Sequence, residues 1–495
     1  MQTLLKSSQM RDADQYIICN KSVSSIDLME VAARAFVHEF KKHVQNKNEF
    51  ISIYSGTGNN GGDGLAVARL LKEEGYDHLS VKIARFSQRS SPDFDANFER
   101  LKFSRITITE ITDTKSLPDE DAPILIDALL GSGLNKPLEG DFKNLAEYLN
   151  SLNRTVFSID VPSGFFCEGM IDPSATVFKA TIVITFQRPK INFFFPESAE
   201  ALENFRVVDI GLDEQFIQAQ QSGWKLIEEE DILLMLKPRK AFSHKGTYGH
   251  ALIIAGSTET MGAALLCAEA CLHSGAGLTT AYIPQGGVTA LNTRSPEVMA
   301  LIRTDKPEEK PLDKYSSIAI GPGLGLDEIS ITLLKYVLTY KNIPMVLDAD
   351  ALNILAQQPE LLNKLSVNTI LTPHIKEFDR LFGEHQTWWE RVETARAKAK
   401  QYQIIIILKN QYSFIVLPSG DVLVNPTGNP AMAVGGMGDV LTGIIASFLA
   451  QGYKPQQAAI LACYLHGKAV DLLKTKKGMS VIPPRYLIQL LPGML

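Results

Sequence analysis

Short apolar runs punctuate this chain at intervals that suit buried strands. In the first half they are Phe50-Ile51-Ser52-Ile53-Tyr54, Leu79-Ser80-Val81-Lys82-Ile83, Ile124-Leu125-Ile126, Val156-Phe157-Ser158-Ile159, Ile182-Val183-Ile184 and Arg206-Val207-Val208. Helical or polar segments separate them. Residues 25–40 place their apolar side chains at helical spacing and predict an amphipathic helix, and residues 65–74 predict another. Strands alternating with helices predict a mostly parallel, doubly wound sheet. The same rhythm returns in the second half, with strands predicted over 250–255, 318–320, 345–347, 369–371 and 404–408 and a helix over 262–274. Between the halves, residues 215–230 are polar, with Gln218, Gln220, Gln221, Ser222 and Gly223 ahead of Glu228-Glu229-Glu230-Asp231. This shift predicts domains at 1–218 and 227–495 joined by a linker at 219–226. The acidic run suits a helix N-terminus, where negative charge meets the positive end of the dipole.

Composition narrows the classes. A chain of 495 residues exceeds one ordinary core, and 45% hydrophobic with 21% charged residues is usual for a globular protein. A net charge of −6 makes no case for nucleic acid or an anionic membrane as partner. No apolar run approaches the roughly 18 residues of a membrane span. No signal-peptide core precedes the first charges, so a cytoplasmic location is the default expectation. Five scattered cysteines argue against a disulfide framework, and nine histidines without HxH or HExxH spacing argue against zinc.

The chemistry sits where the predicted strands end. Gly56-Thr57-Gly58-Asn59-Asn60-Gly61-Gly62-Asp63-Gly64 joins a strand to a helix with five glycines in nine residues. Backbone so stripped of side chains lets a phosphate or ribose approach closely. Two further strand ends carry Asp127-Ala128-Leu129-Leu130-Gly131-Ser132-Gly133-Leu134 and Asp160-Val161-Pro162-Ser163-Gly164. Ligands of open parallel sheets bind at carboxyl ends of strands, so Asn60, Asp127 and Ser163 are expected to converge on one crevice. Their oxygens suit a hard cation, and Asp160 is an acid/base candidate. For each aspartate taken alone, a turn or capping role is the competing reading. In the second half, Gly435-Gly436-Met437-Gly438-Asp439 opens an apolar helix. Its N–H groups and dipole form an anion site, with Asp439 placed to take a hydroxyl proton.

The first-half motifs Asn59-Asn60-Gly61-Gly62-Asp63-Gly64, Asp127-Ala128 with Gly131-Ser132-Gly133, and Ile159-Asp160-Val161-Pro162-Ser163-Gly164 resemble the NAD(P)H-hydrate epimerase family. The resemblance implies a Rossmann-like domain that interconverts R and S hydrates of NADH and NADPH. It implies hydrate contacts from Asn59, Asn60, Gly61, Gly62, Asp63, Gly131, Ser132, Gly133, Leu134, Asn135, Lys136, Pro137 and Asp160. It also implies potassium on Asn60, Asp127 and Ser163. Lys136 reads either as a partner for a cofactor phosphate or as a solvated lysine.

The second half, with His244-Lys245-Gly246, Thr372-Pro373-His374, Asn425-Pro426-Thr427-Gly428-Asn429-Pro430 and Gly436-Met437-Gly438-Asp439, resembles the ribokinase-like NAD(P)H-hydrate dehydratases. That resemblance implies phosphorylation of the hydrate hydroxyl by a nucleotide with magnesium, then elimination of phosphate. Ala263, Gly323, His374 and Asp439 would meet the hydrate, and Lys409, Asn410, Gln411, Tyr412, Ser413 and Gly438 the nucleotide. Here Lys409-Asn410-Gln411-Tyr412-Ser413 stands where relatives carry Lys-Gly-x-x-Thr. Fusion of the two domains resembles the bacterial form and implies ADP as donor. A ribokinase-like small-molecule kinase with an accessory domain, and a non-catalytic nucleotide-binding protein, are the alternatives. The surface and charge fit a monomer or a symmetric homo-oligomer.

Overall fold

The computed structural model describes all residues except Ser22, Ser116, Pro118, Asn135 and 305–310. The chain divides into two compact units, one of Thr3–Ser222 with Thr387–Trp389, the other of Met1–Gln2, Gly223–Gln386 and Glu390–Leu495.

The first of these units is built on β1 (Ile51–Ser55), β2 (Leu79–Ala84), β3 (Thr107–Ile111), β4 (Ile124–Ala128), β5 (Thr155–Ile159), β6 (Ala180–Phe186) and β7 (Leu202–Val208). They form a seven-stranded sheet in the order β3-β2-β1-β4-β5-β6-β7, and every neighbouring pair is parallel. Consecutive residues of a strand face opposite sides. In β4, Leu125 therefore joins the core of Leu145 and Leu149, while Ile126 joins that of Phe36, Phe40 and Phe94. The helix Ser25–His43 supplies the latter face; Ser24 Oγ accepts the Asp27 N–H at its start. The chain order reverses between β1 and β4, which is where such a sheet leaves a crevice at its carboxyl edge. β3 was not foreseen, because along Thr107–Ile111 only Ile111 is buried and the apolar signal of a strand is lost.

The glycine-rich stretch after β1 departs from the expected loop. Its helix is Asn59–Glu73, starting six residues before the predicted position and taking in Gly61, Gly62 and Gly64. Packing explains those glycines. A Cβ on Gly61 would lie 1.9 Å from the Gly56 carbonyl oxygen, and one on Gly64 2.5 Å from the Ala128 Cβ. The helix can approach β1 and β4 only without these side chains.

The second unit contributes β8 (Trp224–Leu226), β9 (His250–Ile254), β10 (Leu278–Pro284), β11 (Met299–Arg303), β12 (Ser317–Ile320), β13 (Met345–Leu347), β14 (Ile370–Leu371), β15 (Ile405–Leu408), β16 (Phe414–Val416) and β17 (Val422–Val424). They run β8-β17-β16-β15-β14-β13-β12-β9-β10-β11 within an eleven-stranded sheet. From β15 to β11 all pairs are parallel, whereas β16 is antiparallel to both of its neighbours. One face is covered by the helices Met261–His273, Met437–Ala450 and Pro455–Lys477, all nearly continuous in small or apolar residues. Cys267 and Cys271 are both buried there as packing residues. The acidic run behaves as expected: Glu228 caps the helix Glu229–Met235, with Asp231 closing the capping box.

Part of the expected linker is ordered structure. The helix Glu214–Ala219 ends within it and β8 begins at Trp224, a fully buried side chain whose strand pairs with β17. A three-residue strand is too short to show alternation in sequence.

Gly61→Ala puts a methyl group into backbone rather than into a flexible side chain. We expect it to destabilise the first unit by about 1–3 kcal/mol, read as a lower denaturant midpoint for that unit's unfolding.

Candidate active sites

In the first unit a cavity of about 460 Å³ opens at the carboxyl edge of the sheet. Asn59, Asn60 and Asp63 enter it from the first turns of the helix Asn59–Glu73; Gly131, Ser132, Gly133 and Leu134 come from the loop after β4, and Asp160 from the end of β5. Gly61 and Gly62 are not in its wall; Gly62 lies against Met29 and Phe94 inside the packed helix. Lys136 and Pro137 are also outside the wall, and Asn135 lies outside the described residues. Arg11, Asp14 and Phe186 line the cavity without having been anticipated. Arg11 and Asp14 stand one turn apart on the helix Ser7–Asn20, a spacing common on any polar helix face.

Asp160 holds a left-handed backbone conformation, φ +65°, which turns the chain sharply after β5. Its Oδ1 accepts from Lys190 Nζ at 2.7 Å, the Phe186 N–H at 3.0 Å and Thr185 Oγ1 at 3.1 Å. Lys190 is buried, so this ion pair is shielded from water. Two other carboxyls feel the Asp160 charge. Asp14 is pushed up to about 6, mainly by burial and then by Asp160, with Lys190 opposing. Burial holds Asp63 well above the usual carboxylate range, and Asp160, Asp14 and Asp93 add to it.

Asp127 is fully buried at the end of β4 and fully hydrogen-bonded. Ser163 Oγ reaches its Oδ1 at 2.6 Å, and the Ser163 N–H and Ser158 Oγ reach Oδ2 at 2.8 and 2.9 Å. Burial nevertheless moves its pKa up to about 6. Ser163 Oγ also accepts the Leu130 N–H at 2.8 Å, tying the loop that leads to Gly131. Asn60 packs beside Gly131, 9% exposed, and its Nδ2 has no hydrogen-bond partner. Asn60, Asp127 and Ser163 thus lie around one short stretch of loop.

In the second unit Gly436, at φ +93°, caps the helix Met437–Ala450, and Asp439 is its third residue. The cap is therefore not Asp439, whose carboxyl is left for other work. Burial pushes it up to about 7, assisted by Asp348 and opposed by Lys409. Asp348, 2% exposed at the end of β13, accepts from Lys409 Nζ at 2.9 Å and from Thr442 Oγ1 at 2.7 Å. A Cβ at Gly438 would stand 3.4 Å from that ammonium, so Lys409 reaches the glycine turn. His374 caps the helix Ile375–Phe382, its Nδ1 accepting the Lys376 and Glu377 N–H groups. Burial lowers its pKa while Glu377 pulls the other way. Ala263 and Gly323 meet at Thr260, whose hydroxyl donates to the Gly323 carbonyl and whose own carbonyl accepts the Ala263 N–H.

On the other side of Lys409 and Gly438 lies a second cavity, about 400 Å³. Asn410, Gln411 and Ser413 line it with them, but Tyr412 does not. Ala263, Gly323, His374 and Asp439 are outside its wall. Asn425, Thr427 and Asn429, read as a motif but given no contact, also line it, and Cys463, His466 and Gly467 are unforeseen members. The loop carrying Thr427 and Asn429 is clamped to the helix Pro455–Lys477: Asp471 accepts from the Gly428 N–H and Asn429 Nδ2, and Thr427 Oγ1 donates to the Tyr464 carbonyl. Gly467 permits this approach, since a Cβ there would lie 2.4 Å from Thr427 Oγ1. Burial pushes His466 down to about 4, so it is neutral.

Comparison with known proteins agrees with this two-part geometry. Residues 25–192 match the family described as YjeF-related protein N-terminus, and residues 251–492 match NAD(P)H-hydrate dehydratase. A Moorella thermoacetica protein, the bifunctional NAD(P)H-hydrate repair enzyme Nnr, is 33% identical over 99% of this chain and 96% of its own. The Escherichia coli protein of that name is 32% identical, covering 86% of this chain and 81% of its own. The chain belongs to the bifunctional NAD(P)H-hydrate repair enzymes. A Bacillus subtilis ADP/ATP-dependent NAD(P)H-hydrate dehydratase, co-crystallised with ATP and Mg²⁺, is 35% identical over 54% of this chain and 96% of its own, at a TM-score of 0.49. With both family models matched on one chain, the repair enzyme pairs an epimerase domain with a dehydratase domain, and the small-molecule kinase alternative is not favoured. Among the described residues no helix is long and apolar enough to cross a membrane.

A pH dependence follows from Asp439. Its folded pKa of about 7 lies above the ordinary 3.8, so its contribution to stability is fully present below that ordinary value and is lost as pH rises through 7. Asp439→Asn removes this penalty. The variant should gain thermal stability over wild type, on the order of 2 kcal/mol at pH 8, with the gap closing towards pH 4.

Proposed function

We propose that residues 1–218 epimerise R and S NAD(P)H hydrates and that residues 227–495 dehydrate the S form with ADP as phosphoryl donor. The observation that carries the reading is one half-buried carboxyl in each unit: Asp160, held by the buried Lys190, and Asp439, which feels the charge of Lys409 where that lysine pairs with Asp348. In the first unit Asp160 exchanges the proton that inverts the hydroxyl-bearing carbon. Lys190 orients it through the hydrogen bond to Oδ1. Asn59, Asn60, Asp63 and the loop from Gly131 to Leu134 hold the hydrate around it. Asn60, Asp127 and Ser163 would hold potassium: one amide oxygen, one hydroxyl and one carboxylate are hard donors of low total charge. A potassium ion there would supply fixed positive charge beneath the loop after β4.

In the second unit Asp439 takes the proton of the hydrate hydroxyl as that oxygen attacks the terminal phosphoryl group of the nucleotide. A base with a pKa near neutrality suits this role. The N–H groups at Gly436, Met437 and Gly438, with Lys409, face the negative charge of the transferring group. Asn410, Gln411 and Ser413 line the cavity in which the nucleotide sits, and Ala263, Gly323 and His374 flank the hydrate. Magnesium would accompany the nucleotide and screen its phosphates. That transfer releases AMP; phosphate then leaves the ring in place of hydroxide with the C–O electron pair, and loss of a proton from the neighbouring ring carbon restores the double bond of NAD(P)H. Because only one epimer is consumed, the first activity feeds the second. We place the enzyme in the cytoplasm, where its unpaired cysteines, four of five buried, remain reduced.

The test is the return of the near-ultraviolet dihydronicotinamide absorbance from a mixture of R and S NADH hydrate with ADP, magnesium and potassium. Wild type should recover the whole mixture. Asp160→Asn should recover only the S fraction above spontaneous epimerisation, and Asp439→Asn none. Full recovery by Asp160→Asn removes that residue from the mechanism; accumulation of a stable phosphorylated product would restore the kinase alternative.

A further inference from the structure

Inverting a hydroxyl-bearing carbon next to a ring nitrogen by loss and re-addition of water needs two proton-transfer groups. One must protonate the departing hydroxyl, the other must receive a proton from the entering water. Asp160 can fill only one of these roles at a time. Its Oδ1 accepts from Lys190, the Phe186 N–H and Thr185, three donors that hold the carboxyl in place for the receiving role. The same cavity is lined by a second carboxyl of opposite character. Asp14, half-buried on the helix Ser7–Asn20, faces Asp160 and Asp63 as well as Lys190, and has Arg11 one turn away on its own helix. None of these groups makes a direct ion pair with Asp14 among the described residues. Asn60, 9% exposed with an unpartnered Nδ2, lines the same cavity, which marks it as a place where a polar ligand is received.

We propose that Asp14 is the second catalytic carboxyl of the epimerase unit. The step rests on the epimerase reading given above. Asp14 gives its proton to the hydroxyl oxygen, the C–O bond breaks with its electron pair going to oxygen, and water departs. The ring nitrogen's lone pair forms C=N, leaving a cationic iminium. Water then adds to the other face of the same carbon, the C=N pair returns to nitrogen, and the proton released goes to Asp160. Nothing is oxidised or reduced. The reverse epimerisation uses the two carboxyls in exchanged roles, and proton transfer from Asp160 to Asp14 through cavity water restores the starting state. Pairs of carboxyls whose surroundings drive their proton affinities apart are a recurrent acid/base arrangement; here burial and the Asp160 charge keep Asp14 protonated up to about pH 6.

The experiment uses the full chain and pure R hydrate without nucleotide, following formation of the S epimer by NMR or chiral chromatography with the spontaneous rate subtracted. Asp14→Asn should slow conversion by about 10²–10⁴-fold, and Asp14→Glu should restore a large part of it. The wild-type rate should fall as pH rises above about 6, and that limb should be absent from the residual activity of Asp14→Asn. Dehydration of S hydrate with ADP, carried by the other unit, should be retained by both variants as proof of folded protein. Conversion by Asp14→Asn within about threefold of wild type would overturn the proposal. So would a slow Asp14→Asn that keeps the wild-type pH profile and is not rescued by Asp14→Glu, since that is the mark of a packing role. A wild type that does not interconvert the epimers would instead overturn the epimerase reading itself, and this proposal with it.

Discussion

A carboxylate taken out of water must find donors, and in this protein the search for donors organises the loops. Asp127 gathers Ser158, Ser163 and the Leu129 N–H around the ends of β4 and β5. Asp348 gathers Lys409 and Thr442, from the end of β15 and the helix Met437–Ala450. Each therefore joins segments that are remote in sequence at the edge where a parallel sheet presents its strand ends. Leaving a buried charge unpaired costs several kcal/mol, so the loops carrying the donors have little freedom to sit elsewhere. Asp160 lines the first cavity and Asp439 stands in the first turn of its helix, and these are the two candidates for proton exchange.

Glycine does the complementary work. At Gly61, Gly64 and Gly467 the missing side chain lets a helix press against backbone, and at Gly436 it permits the left-handed turn that opens the helix carrying Asp439. The positioning of the candidate groups in both units therefore depends on close approach at these glycines as much as on the polar residues themselves.

Much of this was legible in sequence, because strand ends advertise themselves. Short apolar runs that stop at Asp127, at Asp160 or just before the glycines after β1 located the crevice of the first unit without any coordinates. The glycines were harder: sequence marks that Gly61 and Gly62 are unusual but not whether a ligand or a helix needs the space. Lys190 and Asp14 were invisible for another reason. Each lies on a segment with no periodic or motif signal, and each acquires meaning only from Asp160 across the fold. Asn425, Thr427 and Asn429 were seen as a motif, yet the bonds that tie Gly428 and Asn429 to Asp471 and Thr427 to Tyr464 are long-range pairings that no local pattern encodes. β8 and β3 were lost to shortness and to exposure respectively.

Each cavity is walled entirely by residues of its own unit. Among the described residues, neither cavity takes a side chain from the other unit. What the peptide link between the units imposes is stoichiometry. However strongly the gene is expressed, and however quickly the protein is degraded, a cell holds one epimerising centre for every dehydrating one, and any balance between the two fluxes has to be set by turnover rather than by abundance.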